Sequence, residues 1–150
     1  MEKAGITVFE QGEGISPAAL LQTFRNTEKA ILLGTRSFWE GVDIQGDALS
    51  VVVIAKLPFD VPSDPIIAAR SESFDDSFGE YNLPEAILKF RQGFGWLIRS
   101  KSDKGLVIVM DSRINTKRYG KDFIDSIPKC TRISGSVRDI PRNAAKWLSK

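Results

Sequence analysis

Leu49-Ser50-Val51-Val52-Val53-Ile54-Ala55 is the strongest apolar run in the 150-residue chain. It has no polar alternation, so it reads as a strand covered on both faces by helices. Working outward, Ile6 to Phe9, Ala30 to Gly34 and Leu106 to Met110 are further runs of strand length, and helical patterns lie between them. That alternation predicts an α/β domain with a mainly parallel sheet flanked by helices.

The helices announce themselves by their starts. Ser16 reads as an N-cap and Pro17 as a first helical residue, opening a helix through about Arg25 with Leu20, Leu21 and Phe24 as its buried stripe. Asp64-Pro65 repeats the signal before Ile66 to Arg70, and Asn82 precedes a long helical pattern from about Pro84 to Ser100. Thr116 to Ile127 suits a short helix with Tyr119, Phe123 and Ile127 at helical spacing. Pro141 opens a last helix carrying Ala144, Ala145 and Leu148. The three prolines from Pro58 to Pro65 make a stiff surface crossing.

A chain of this length fits one domain with a real hydrophobic core. There are no histidines, which removes Ser–His and Cys–His catalysis and most metal sites. Cys130 is the only cysteine, so it forms no internal disulfide or cysteine cluster, and it reads as a buried packing residue. The N-terminus has no long apolar stretch and no run approaches the roughly 20 residues of a membrane span. A reduced, cytoplasmic setting with no membrane contact is the expectation. A net charge of +2, from 21 basic and 19 acidic residues, is too mild to announce a nucleic-acid partner.

Two segments carry chemistry. Gly34-Thr35-Arg36-Ser37-Phe38-Trp39-Glu40-Gly41-Val42-Asp43-Ile44-Gln45-Gly46 directly follows a strand, where parallel α/β folds place ligands. Its glycines allow close backbone approach, Thr35 and Ser37 offer short donors to phosphate oxygens, Arg36 adds charge, and Asp43 suits a sugar hydroxyl. The plainer alternative is a strand-to-helix turn anchored in the core by Phe38 and Trp39. The second segment is Phe90-Arg91-Gln92-Gly93-Phe94-Gly95-Trp96-Leu97-Ile98-Arg99-Ser100. Helical spacing puts Gln92, Trp96 and Arg99 on one face. Two glycines there cost roughly 1 kcal/mol each relative to alanine, which points to close packing, close ligand approach or a broken helix. The plainer alternative makes Arg91 and Arg99 solvated surface charges.

Taken together, these segments resemble motifs V and VI of superfamily 2 helicases in the wording of the DinG/XPD branch. Motif V falls at residues 34–46. Gln92-x-x-Gly95-x-x-x-Arg99 resembles motif VI at residues 92–99, whose family form is Gln-x-x-Gly-Arg-x-x-Arg. Leu57-Pro58-Phe59, Val61-Pro62-Ser63-Asp64-Pro65 and Asp111-Ser112-Arg113 also look like DinG relatives, so the likeness runs from about Gln11 to Ile114.

The resemblance implies a RecA-like domain of the P-loop NTPase type. Residues 1–150 would be the second motor domain of an ATP-dependent DNA helicase, truncated at its N-terminus and inactive alone. Its partners would be single-stranded DNA and the upstream motor domain of the same protein. ATP and Mg2+ would be held mainly by that upstream domain, and any iron–sulfur cluster would lie outside this chain. Some DinG relatives also carry an N-terminal exonuclease.

Gln92 and Arg99 match the catalytic positions facing ATP, Arg99 as an arginine finger, with Gly41 and Asp43 on the nucleotide side and Thr35, Arg36 and Ser37 on DNA. Trp96 departs from the pattern, standing where the family has its first motif VI arginine. Either the chemistry is degraded, or Trp96 stacks on adenine or a partner domain, or the protein is a slow motor serving binding or regulation. A non-catalytic nucleic-acid-binding or regulatory module with the motor fold is the rival class.

Overall fold

A computed structural model describes residues 5–12, 14–35, 49–98 and 104–149. The chain divides into two units, residues 1–48 and 49–150. Each has a parallel pair of short strands, as the alternating pattern predicts. The pairs are β1 (Thr7–Glu10) with β2 (Ala30–Leu33), and β3 (Val51–Ile54) with β4 (Leu106–Val109). Among the described residues the four strands form these two separate pairs and not one continuous sheet.

In the first unit, Thr7 pairs with Ala30 and Glu10 with Leu33, and α1 (Pro17–Arg25) makes the crossover. The Ser16 side chain accepts from the Ala19 N–H at 3.2 Å, satisfying one of the orphan donors of the first turn. Proline follows at the start of the helix, where its missing N–H costs nothing. Leu20, Leu21 and Phe24 are buried, as their spacing requires. The turn into β2 closes through Lys29 at φ 52, whose carbonyl accepts from the Thr7 N–H at 3.0 Å.

In the second unit Val51 pairs with Leu106 and Ile54 with Val109. The expectation of cover on both faces fails here. Ile54 is 2% exposed but Val53 is 54% exposed. Successive strand residues point to opposite faces. α3 (Leu83–Leu97) packs on both strands where Ile54 is buried, while among the described residues Val53 on the other face is left more than half exposed.

Asp64 caps α2 (Pro65–Ser71), accepting from the Ile66 N–H at 2.9 Å. Asn82 does not act as a cap. It ends a π-helical turn, Ser77–Asn82, and its side-chain amide donates to the Ser77 carbonyl at 3.0 Å. The helix predicted from Thr116 to Ile127 forms only over α5 (Gly120–Asp125), and α4 (Arg113–Thr116) ends where it was expected to begin. The break is steric as well as local: a Cβ at Gly120 would collide with the Ile114 carbonyl, so the chain turns there on a residue with no side chain.

Leu57, Ile67, Ala86 and Leu97 join Phe90 and Phe123 in the core of this unit, and an aromatic cluster extends from it. Phe59 packs against Phe78, Tyr119 and Phe123 at centroid distances of 5.9, 5.6 and 5.7 Å, and Phe90 meets Phe123 edge-on at 5.4 Å. The Pro58 to Pro65 crossing is therefore not wholly superficial, because Asp60 turns inward and is buried. Asp60 forms a buried ion pair with Lys89 of α3.

The last helix, α6 (Ile140–Leu148), begins at the predicted proline and follows a single 3-10 turn, Val137–Asp139. Cys130 is exposed, against the expectation of a packing role. No helix of the described residues is long and apolar enough to cross a membrane.

Candidate functional site

The proposed site residues divide between the two units, and of them Thr35 and Gln92 lie among the described residues. At the carboxyl ends of β1 and β2, the Thr35 hydroxyl donates to Gln11 Oε1 at 2.7 Å and the Thr35 N–H donates to the same oxygen at 3.3 Å. The Gln11 N–H in turn donates to the Leu33 carbonyl at 3.2 Å. Gln11 thus holds Thr35 beside the strand ends, where parallel α/β folds take ligands. Sequence reasoning assigned Gln11 no role, since the pair is separated by 24 residues. Arg36, Ser37, Gly41 and Asp43 lie outside the described residues.

In the second unit α3 is two-faced. Ala86, Lys89, Phe90, Gly93 and Leu97 are buried, while Gln92 and Gly95 are exposed and Trp96 is half-buried. The helix ends at Leu97, with Ile98 extended at φ −123 and ψ 107, so helical spacing joins Gln92 to Trp96 and goes no further. Arg99, expected on the same face, lies outside the described residues.

The two glycines of this helix separate cleanly. Gly93 is buried. Gly95 is exposed, and a Cβ built on it would meet nothing within 4 Å. Its cost of about 1 kcal/mol in a helix is unrelieved by anything the described chain needs.

The carboxyl ends of β3 and β4 carry a constellation whose role the sequence did not show. Asp111, just past β4, accepts from the Leu57 N–H at 2.9 Å and from the Arg113 N–H at 3.0 Å. It also takes the Arg113 guanidinium side-on through Nε at 3.0 Å and Nη2 at 2.6 Å. The guanidinium lies over the Phe59 ring at 5.4 Å. One carboxylate therefore clasps the post-β3 loop, the post-β4 turn and the aromatic core. Lys56, Ser112 and Arg113 line a shallow open cleft beside it. Among the described residues no group of three or more His, Cys, Asp or Glu is placed to hold a metal ion.

The Arg113 guanidinium, and then the two backbone N–H donors, hold the Asp111 carboxyl well below the usual carboxylate range, against the opposing effect of burial. The folded value is depressed, so the clasp contributes its full stability above about pH 4 and loses it as pH falls further. Asp111→Asn is expected to lower stability at neutral pH by about 2 kcal/mol and to flatten the acid limb of the stability curve. Urea midpoints between pH 7 and pH 3 check this. A variant with a wild-type acid limb would exclude Asp111 as its source.

Comparison with known proteins gives the class. The helicase C-terminal domain family matches residues 1–130, and the chain belongs to that family. Among its relatives, the 3'-5' exonuclease DinG of Bacillus subtilis (strain 168) is 47% identical over 133 residues, covering 85% of this chain and 14% of that protein. The ATP-dependent DNA helicase YoaA of Escherichia coli (strain K12) is 43% identical over 148 residues, covering 96% of this chain and 22% of that protein. The YoaA of Haemophilus influenzae is 42% identical over 135 residues, 87% of this chain and 21% of that protein. The chain thus spans less than a quarter of the length of each.

Proposed function

We propose that residues 1–150 form the RecA-like second motor domain of an ATP-dependent DNA helicase, with motif V at residues 34–46 and motif VI at residues 92–99. The observation that carries this reading is the exposed Gln92–Gly95 face of α3. It combines a donor and acceptor amide with a helical glycine whose small size serves nothing within the described chain. A body from outside, approaching closer than a side chain would permit, accounts for it. That body is the nucleotide held by an upstream motor domain.

In the proposed site, Gln92 orients the bound nucleotide and Arg99 stabilises charge developing on the transferred phosphoryl group. ATP, with Mg2+ held mainly by the upstream domain, supplies the phosphoryl transfer. Gly41 and Asp43 connect the cleft to the DNA track. Thr35, Arg36 and Ser37 contact the backbone of single-stranded DNA without reading its sequence. The Thr35–Gln11 hydrogen bonds keep that donor pair oriented until a phosphate oxygen takes them over. Cleft opening and closing then drives movement along the strand. The setting is the cytoplasm.

A second reading, a binding or regulatory module with the motor fold, is favoured by Trp96 alone, since indole supplies neither cation nor fork. DNA-stimulated ATPase activity of this domain joined to its native upstream half tests the choice. Stimulated hydrolysis is expected. Its absence, with single-stranded DNA still bound, would favour the binding module.

A further inference from the structure

The mild overall charge conceals a strong segregation. Residues 1–127 carry 18 acidic and 15 basic side chains, while residues 128–150 carry Lys129, Arg132, Arg138, Arg142, Lys146 and Lys150 against Asp139 alone. Asp139 is already committed. It accepts from the Ser136 N–H at 3.3 Å, and the Ser136 side chain accepts from the Arg138 N–H at 3.3 Å, a capping box that opens the 3-10 turn. The segment thus carries six cations against a single carboxylate.

Arg138, Arg142 and Lys146 are four residues apart and exposed. Arg142 and Lys146 stand about 6 Å apart along one side of α6, and Arg138 precedes them in the 3-10 turn. The opposite side, Ile140 and Ala144, is half-buried, and no residue of α6 is fully buried. Trp147, at 37% exposure, falls by helical spacing on the side of Ile140 and Ala144. The family match ends at residue 130, so this element lies beyond the motor motifs.

We infer that the exposed Arg138-Arg142-Lys146 row of the C-terminal segment is a second nucleic-acid contact, which binds the phosphates of a single strand. Charge complementarity selects a polyanion. The half-covered apolar side argues against a bilayer, since an interfacial helix needs that face free to insert. Binding through a cation row is sequence-independent and steeply salt-dependent. The contact would tether the strand to this domain irrespective of the nucleotide cleft, so it does not depend on the motor reading.

The test is fluorescence anisotropy of a labelled oligothymidine with the 150-residue chain, titrated at several salt concentrations. The wild type is expected to bind at low salt. The triple variant Arg138→Gln, Arg142→Gln, Lys146→Gln is expected to bind at least about tenfold more weakly, with a logarithmic salt slope reduced by about 2, at roughly 0.7 for each lost single-strand phosphate contact. Arg138→Lys with Arg142→Lys keeps the charge and is expected to keep the slope. An unchanged slope in the triple variant overturns the proposal, as does absent wild-type binding. Binding to phosphatidylserine vesicles with none to the oligonucleotide would overturn it in favour of a membrane surface. Circular dichroism of each variant excludes loss of the helix, since all three positions are exposed.

Discussion

Lys89→Met is expected to destabilise the second unit by about 3 kcal/mol, the low end of the cost of breaking a buried ion pair. Lys89 and Asp60 have side chains 11% and 3% exposed, and the pair joins α3 to the crossing loop between β3 and α2. Removing the ammonium leaves the Asp60 carboxylate buried without its nearest cation. Arg70 is near enough to feel the Asp60 charge, and it tempers the loss without replacing the contact. Against a typical total of about 5–15 kcal/mol, such a loss is a large fraction of all stability.

The paired variant separates the two meanings of this result. Asp60→Leu with Lys89→Met removes both charges and is expected to recover most of the lost stability, since an apolar replacement for a buried pair is often neutral. Urea midpoints of the wild type, the single variant and the double variant form the measurement. Equal loss in single and double variants would show that Lys89 matters by its packed stem and not by its charge. The consequence for function is geometric. Lys89 is buried one helical turn before the exposed Gln92, so the pair anchors the stretch of α3 that carries the proposed nucleotide side.

Local signals carried most of the secondary structure. Ser16-Pro17 and Asp64-Pro65 place helix starts within a residue because capping is a short-range hydrogen bond, and Leu20, Leu21 and Phe24 fall inward because burial follows the helical period. What the sequence left hidden depends on distant partners. Asp60 meets Lys89 across 29 residues and Asp111 meets Leu57 across 54. Neither spacing belongs to a period of helix or strand. A lysine in a helix reads as solvated until the fold supplies a buried carboxylate. The π-helical turn was equally silent, since Ser77–Asn82 has no apolar period and is held by Asp76 and by an Asn82 amide reaching back five residues. Val53 was misread for a different reason: an apolar run predicts that cover exists, but not that the described chain provides it on both sides.

Trp96→Arg, in the protein carrying its upstream motor half, is expected to raise DNA-stimulated ATP hydrolysis by up to about 10³-fold, the low end of an arginine's worth on a transferred phosphoryl group. The low end is the apt figure because Arg99 remains at the second proposed position. Trp96 is a half-buried residue one turn beyond Gln92 and next to the open space at Gly95. A guanidinium there would stand on the same helix as the proposed nucleotide contact. Indole at that site offers a stacking face and one donor, and neither follows charge as it develops. The split between constants discriminates the three roles. A rise in kcat with unchanged KM for ATP identifies an impaired motor, because the gain appears only in the transition state. A rise in KM without gain in kcat identifies Trp96 as a stacking surface for adenine. Equal constants in both proteins would remove position 96 from the chemistry, and the burden of charge stabilisation would then fall on Arg99 alone.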